Sequence, residues 1–196
     1  MASTPPDPEW LTERTAAALR RVDAATPVRY RSAIPIPPVA RAWADGTATS
    51  DALAIVGPMG RGKTHLAWHV ARTWIEHATH TSNEFPTLVA HRTTELFDML
   101  RPDAPDSPYA LLKQAKTASL LIIDDVAAAK PSAWTQERLY ELVDERYVQQ
   151  RPLIITSDVP PAALGEWVGA RVASRLTEMS TIQVLDGPDH RTGGAR

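Results

Sequence analysis

No cysteine occurs anywhere in the 196 residues. Disulfides, zinc thiolate clusters and cysteine nucleophiles are therefore excluded, and core packing has to suffice. Long hydrophobic runs are missing too, since none approaches the roughly 18 residues that a membrane-spanning helix needs. The N-terminus carries neither the basic stretch nor the apolar segment of a secretory signal, so a cytoplasmic location with no membrane contact is expected. Excess positive charge is also absent. The 21 basic residues are outweighed by 23 acidic ones for a net charge of −2, so the chain lacks the footprint of a stand-alone nucleic-acid-binding domain and any DNA contact must be local. Lysine is scarce, 4 residues against 17 arginines, a bias that with abundant alanine and proline points to a GC-rich coding genome more than to a function.

What is present is ordinary for a folded protein. Hydrophobic residues make up 43% and charged residues 22%, which speaks against global disorder and repetitive fibrous sequence, and the length fits one domain. Seven of the 17 prolines fall in the first 40 residues. Residues 1–40 are therefore expected to form a proline-rich N-terminal extension with one short helix, and residues 41–196 the main folded domain. In the extension, Asp7 suits an N-cap and Pro8 a first helical position, while Leu11, Ala18, Leu19 and Val22 share a face. That face either packs on its own domain or docks a partner protein. From Asp51 onward short apolar runs alternate with helical periods. Strands are expected at 53–56, 87–90, 120–123, 153–156 and 182–185, and helices at 63–78, 132–149 and 169–178. Such alternation predicts an α/β fold, a parallel sheet covered on both faces.

Directly after the first strand comes Gly57-Pro58-Met59-Gly60-Arg61-Gly62-Lys63-Thr64, a full match to G-x-x-x-x-G-K-[ST]. The glycines let backbone N–H groups converge on phosphate oxygens, Lys63 reaches the β and γ phosphates of ATP, and the Thr64 hydroxyl ligates Mg²⁺. A second element supports it. Leu120 to Ile123 form an apolar strand that ends in Asp124 and Asp125, with Asp124 in the Mg²⁺ shell and Asp125 placed to accept a proton from, or orient, the attacking water. His65 and His69 lie four apart on the following helix, but the glutamate of a zinc protease helix is missing between them, so no metal site is expected there.

These features together resemble the AAA+ ATPases of the DnaC/IstB type, relatives of the replication initiator DnaA, over most of the chain, from about Tyr30 to Arg191. The residues that carry the resemblance are Gly62 to Ala67 with His65, the Asp124-Asp125 pair, Arg146-Tyr147 ending a long helix, Ile155-Thr156-Ser157-Asp158, and Ser174-Arg175-Leu176 with Glu178-Met179. It implies a P-loop NTPase three-layer αβα sandwich without a substantial C-terminal lid domain. It also implies Asp158 at the sensor I position and Arg175 as an arginine finger reaching ATP in a neighbouring subunit, with Arg171 one turn earlier on the same face and Arg191 as a sensor II candidate. Taken without the resemblance, Arg171 and Arg175 read equally well as a solvated helix face, and Arg146 as a cation at its own helix C-terminus.

The same resemblance puts single-stranded DNA on Lys116 and Thr117, with Arg92, Arg101 and Lys113 able to extend a phosphate track. A solubilising surface would look alike. The function implied is an ATP-binding and hydrolysing DNA-replication accessory protein of the DnaC-like helicase-loader kind, assembling through its ATP site and acting on a replicative helicase. A transposition helper of IstB type, partnered by a transposase, has coincident motifs. A non-hydrolysing ATP switch and a small-molecule P-loop kinase are the rivals from other classes.

Overall fold

The structure is a computed structural model and describes residues 8–187; Asp7 and Arg191 lie outside the described residues. Among the described residues five strands form one sheet: β1 (Ala52–Val56), β2 (Leu88–Arg92), β3 (Leu120–Asp124), β4 (Leu153–Ser157) and β5 (Ser180–Val184). Every pairing is parallel, in the order β2-β3-β4-β1-β5. β4 thus lies between β1, which leads into the phosphate loop, and β3, which ends in the two aspartates. Because all strands run the same way, the segments leaving β1, β2, β3 and β4 emerge at one edge of the sheet, where open α/β sheets bind ligands.

Both faces of the sheet are covered. Leu53, Ile55, Leu120, Ile122 and Ile154 pack on one side with α2 (Pro38–Ala44) and α3 (Lys63–Thr81), through Trp43, Leu66, Trp68 and Val70. Alternate residues Ala54, Val56, Leu121, Ile123 and Ile155 pack on the other side. There they meet α4 (Thr93–Met99), α5 (Pro108–Thr117), α6 (Ala133–Val148), α7 (Leu164–Val168) and α8 (Ala170–Met179). The result is the three-layer sandwich. α6 starts where expected because Ser132 and Thr135 form a capping box: each side chain accepts from the other's backbone N–H, at 3.1 and 2.9 Å.

Two differences from the sequence expectations have physical causes. The helix in the first 40 residues, α1 (Pro8–Ala25), is 18 residues long, and it packs on α3 with Ala18 and Val22 buried against Ile75. Its Arg14 is buried as well and donates to the carbonyls of Ser82 and Glu84. The segment expected as an extension therefore covers part of the sandwich. The boundary drawn at 40 falls inside α2, whose Ala40, Trp43 and Ala44 are buried. Short helices α2, α4, α5 and α7, of five to ten residues, had no sequence signal strong enough to separate them from loops.

Candidate active site

The phosphate loop needs glycine for geometric reasons. Gly60 and Gly62 have φ of 78° and 83°, and Gly62 caps α3 in the left-handed region that a side chain disfavours. At Gly57 a Cβ would lie 2.2 Å from the Leu185 carbonyl oxygen, because the chain leaving β5 crosses here and Leu185 donates its N–H to the Val56 carbonyl at 2.8 Å. Lys63 folds back over the loop, its Nζ donating to the carbonyls of Gly57 and Pro58 at 2.8 and 2.9 Å. The side chains of Pro58 and Met59 are exposed at the loop tip, while Arg61 is half-buried.

Around this loop the carboxylates are ordered by hydroxyls. Asp124 Oδ1 accepts from Thr64 Oγ1 at 2.8 Å and from Thr156 Oγ1 at 2.7 Å. The same Thr156 oxygen accepts the backbone N–H of Asp125 at 2.8 Å. Thr93, fully buried at the start of α4, donates to the Asp124 carbonyl at 3.1 Å. Asp125 has φ of 59°, a left-handed conformation for a residue other than glycine, and Val126 N–H donates to the Thr156 carbonyl at 2.9 Å just beyond it. Lys63, Thr64, Asp124, Asp125, Thr156 and Asp158 line one cavity of about 350 Å³. Thr64 and Asp124 present hard oxygen donors side by side there, a set that suits Mg²⁺. β4 is the reason Asp158 belongs to the group, since its position between β1 and β3 delivers the residue after its end into the middle of the site.

A second cavity, of about 400 Å³, opens on the other side of the loop and is lined by Ile34, Pro35, Pro37, Gly62, Leu66 and Leu185. Its apolar walls suit a flat aromatic ring. The sequence treated these prolines only as the end of an extension, and nothing in their spacing relates them to a loop some 25 residues on. His65, which also lines this cavity, contacts the Ser32 carbonyl through Nε2 at 2.7 Å; a carbonyl only accepts, so Nε2 carries the proton. Its ring lies 5.8 Å from Tyr30 and 5.0 Å from His69. Thr93 was likewise missed, and Thr156 was singled out without its role as a bridge between the aspartates, because a hydroxyl within or just after an apolar strand has no spacing of its own.

Arg175 does not line either cavity. It projects from α8 against α6 of the same chain, where Nε meets Asp144 Oδ1 at 3.1 Å and the guanidinium stacks 4.2 Å from the Tyr147 ring. The hydrogen bond to Asp144 raises its pKa above the ordinary arginine value. Arg171 stacks on Tyr140 at 4.5 Å. Lys116 and Thr117 end α5, just before β3 begins, at the opposite end of that strand from Asp124. There Lys116 Nζ is ion-paired with Glu141 Oε1 at 2.6 Å, and Thr117 Oγ1 donates to the Lys113 carbonyl at 2.9 Å. Arg101 pairs with Asp98 at 3.3 Å, whereas Arg92 lines the polar cavity with Lys63 and Asp124.

A family model described as the bacterial DnaA ATPase domain matches residues 38–183, which include every residue lining the polar cavity except Tyr30. The chain belongs to this family. The resemblance to AAA+ ATPases of the DnaC/IstB type is borne out by this match and by the similarities that follow. This DnaA-type ATPase domain is 27% identical over 157 residues to a Mycobacterium tuberculosis protein named for ATP binding in an insertion sequence, covering 76% of the chain and 58% of that relative. It spans about 30% of a curated DnaA initiator from Crocosphaera subtropica, at 26% identity over 71% of the chain. The crystal structure of a DnaC helicase loader superposes with a TM-score of 0.65 at 20% identity, over 85% of this chain and 99% of that one. The shared fold is thus the sandwich described above. No helix among the described residues is long and apolar enough to cross a membrane.

Proposed function

We propose that this DnaA-type domain binds and hydrolyses ATP and serves DNA replication in the cytoplasm as a helicase-loader-like accessory protein, assembling through ATP held between subunits. The observation that supports it most is the convergence of Lys63, Thr64, Asp124, Asp125 and Asp158 on one cavity at the carboxyl edge of the sheet. Backbone N–H groups from Gly57 to Gly62 and the α3 N-terminus would cradle the phosphates, and Lys63 would exchange its loop carbonyls for β and γ oxygens. The adenine ring would enter the apolar cavity walled by Ile34, Pro35 and Pro37. Thr64 and Asp124 would hold Mg²⁺, which when bound supplies charge neutralisation at the β and γ phosphates. Asp125 holds the attacking water and accepts its proton, and Asp158, an acceptor only, orients that water from β4. Arg175, absent from its own cavity, acts on the γ-phosphate of a neighbouring subunit. Lys116 and Thr117 meet single-stranded DNA once Lys116 leaves Glu141.

The partner in this scheme is a replicative helicase. The insertion-sequence relative favours a second reading, in which the same core partners a transposase. Calorimetric titration and a phosphate-release assay test the site. Lys63→Ala should abolish tight ATP binding, whereas Asp125→Asn should bind and fail to turn over. Undiminished affinity in Lys63→Ala would sink the phosphate-loop assignment, and undiminished turnover in Asp125→Asn would sink its role as base. A wild-type protein that binds but never hydrolyses ATP would instead be the nucleotide switch. Co-purification from the host separates helicase from transposase.

A further inference from the structure

Arg175 is held by its own chain in a way that a freely solvated arginine is not. On α8, Val172, Leu176 and Met179 are buried, which turns Arg171 and Arg175 outward one turn apart. On α6, Leu139, Leu142, Val143 and Arg146 are buried, which leaves Tyr140, Asp144 and Tyr147 on the face that meets them. Asp144 Oδ1 is hydrogen-bonded to the Nε of Arg175, at 3.1 Å, and the guanidinium carbon lies over the Tyr147 ring, 4.2 Å from its centre. Tyr147 is fixed in turn, because its hydroxyl donates to Glu178 Oε1 at 2.5 Å from the next turn of α8. The arginine side chain stays 36% exposed.

The chemistry of the contact matters more than its existence. A carboxylate that paired side-on with the fork would occupy a terminal nitrogen as well as Nε and leave fewer donors for a phosphate. A carboxylate on Nε alone, with an aromatic ring on one face, fixes the direction of the guanidinium and keeps the carboxylate itself off the terminal nitrogens. Rotamer freedom is then lost before a neighbour arrives, so less is lost when phosphate is met.

We propose that Asp144 and Tyr147 are positioning residues that preset Arg175 for the γ-phosphate of the adjoining subunit. This rests on Arg175 acting across the subunit boundary, as proposed above. The two roles of a subunit can be separated by mixing. Lys63→Ala subunits have no working nucleotide site and serve only as finger donors; Arg175→Ala subunits have no finger and serve only as acceptors.

Asp144→Ala is introduced into each and ATP hydrolysis by the mixtures is measured. In the donor it should lower kcat on the order of tenfold to a hundredfold with KM for ATP unchanged, the scale expected for a misplaced catalytic group. In the acceptor it should cause no further loss. Asp144→Asn in the donor should restore most of the rate, because its Oδ1 still accepts from Nε, and Tyr147→Leu in the donor should mimic Asp144→Ala. Equal losses from both sides would mean that Asp144 merely supports the fold, and no loss from the donor would mean that it is idle; either overturns the proposal. A faster mixture with the Asp144→Ala donor would show that Asp144 restrains the finger, which overturns it too. If Lys63→Ala and Arg175→Ala subunits co-assemble without restoring activity before Asp144 is touched, the shared site itself is refuted, and the positioning roles fall with it.

Discussion

Thr156 shows how much of the site depends on one hydroxyl. It sits in β4, 1% exposed, and joins the two aspartates by donating to Asp124 Oδ1 at 2.7 Å while accepting from Asp125 N at 2.8 Å. The neighbouring conformation is unfavourable in itself, since a left-handed residue with a Cβ costs roughly 1–2 kcal/mol, and Asp125 adopts it at φ 59°. Thr156→Val keeps the shape and the β preference but removes both hydrogen bonds, leaving a half-buried N–H without its acceptor. A loss of about 1–3 kcal/mol is expected, read as a lower urea midpoint at unchanged slope, and turnover should fall more than ATP affinity because the aspartates lose their relative alignment. A variant with wild-type midpoint and turnover would show that this hydroxyl organises nothing.

At the scale of elements, α5, α6 and β4 are joined by a buried cation. Arg146, near the end of α6, is fully buried and donates to the carbonyls of Ala115 at 2.9 Å, Lys116 at 3.3 Å and Ala118 at 3.0 Å, and also to that of Pro152. Burial pushes its pKa down to about 9, which still leaves it a cation at neutral pH. Its helix position suggested that it serves the C-terminus of α6. Instead it satisfies the last carbonyls of α5, where the macrodipole of that helix also favours positive charge. Arg146→Leu should cost on the order of 3–5 kcal/mol, comparable to breaking a buried charged pair, because the carbonyls lose their donor and have no water in its place. Arg146→Lys should recover only part, since a point charge cannot span the carbonyls that a planar fork reaches. Denaturant unfolding measures both, and a loss below about 1 kcal/mol in the leucine variant would contradict this capping role.

For the molecule as a whole, charge and topology set what DNA binding can be. A chain of net charge −2 has few cations for phosphate, and Lys116 is already paired with Glu141. Binding of single strands should therefore be weak for the monomer, stronger with ATP through assembly, and shallow in its salt dependence. Two or three contacts per subunit correspond to a slope of about −1.4 to −2 in log K against log salt, and Lys116→Ala should flatten it by roughly 0.7. Fluorescence titration across salt concentrations reads this directly. Tight binding that needs no ATP and ignores Lys116 would remove that residue from the DNA path.

The α/β class, the glycine-rich turn into α3 and the paired aspartates at the end of β3 were legible in the sequence because each depends on local pattern. A run of apolar residues makes a buried strand wherever it falls, and Gly60, Gly62 and Lys63 act within a span of a few residues. Strand order, by contrast, is set by which apolar faces fit together across the chain, and only the folded sheet places β4 between β1 and β3 to bring Thr156 and Asp158 to Asp124. The apolar cavity of Ile34, Pro35 and Pro37, the Arg146 cap on α5, the Lys116–Glu141 pair and the hold of Asp144 and Tyr147 on Arg175 are of the same kind. Their partners lie far apart in the chain, 25 residues for Lys116 and Glu141 and 31 for Arg175 and Asp144. No periodicity links such positions, so what joins them is the tertiary packing of separate helices and strands.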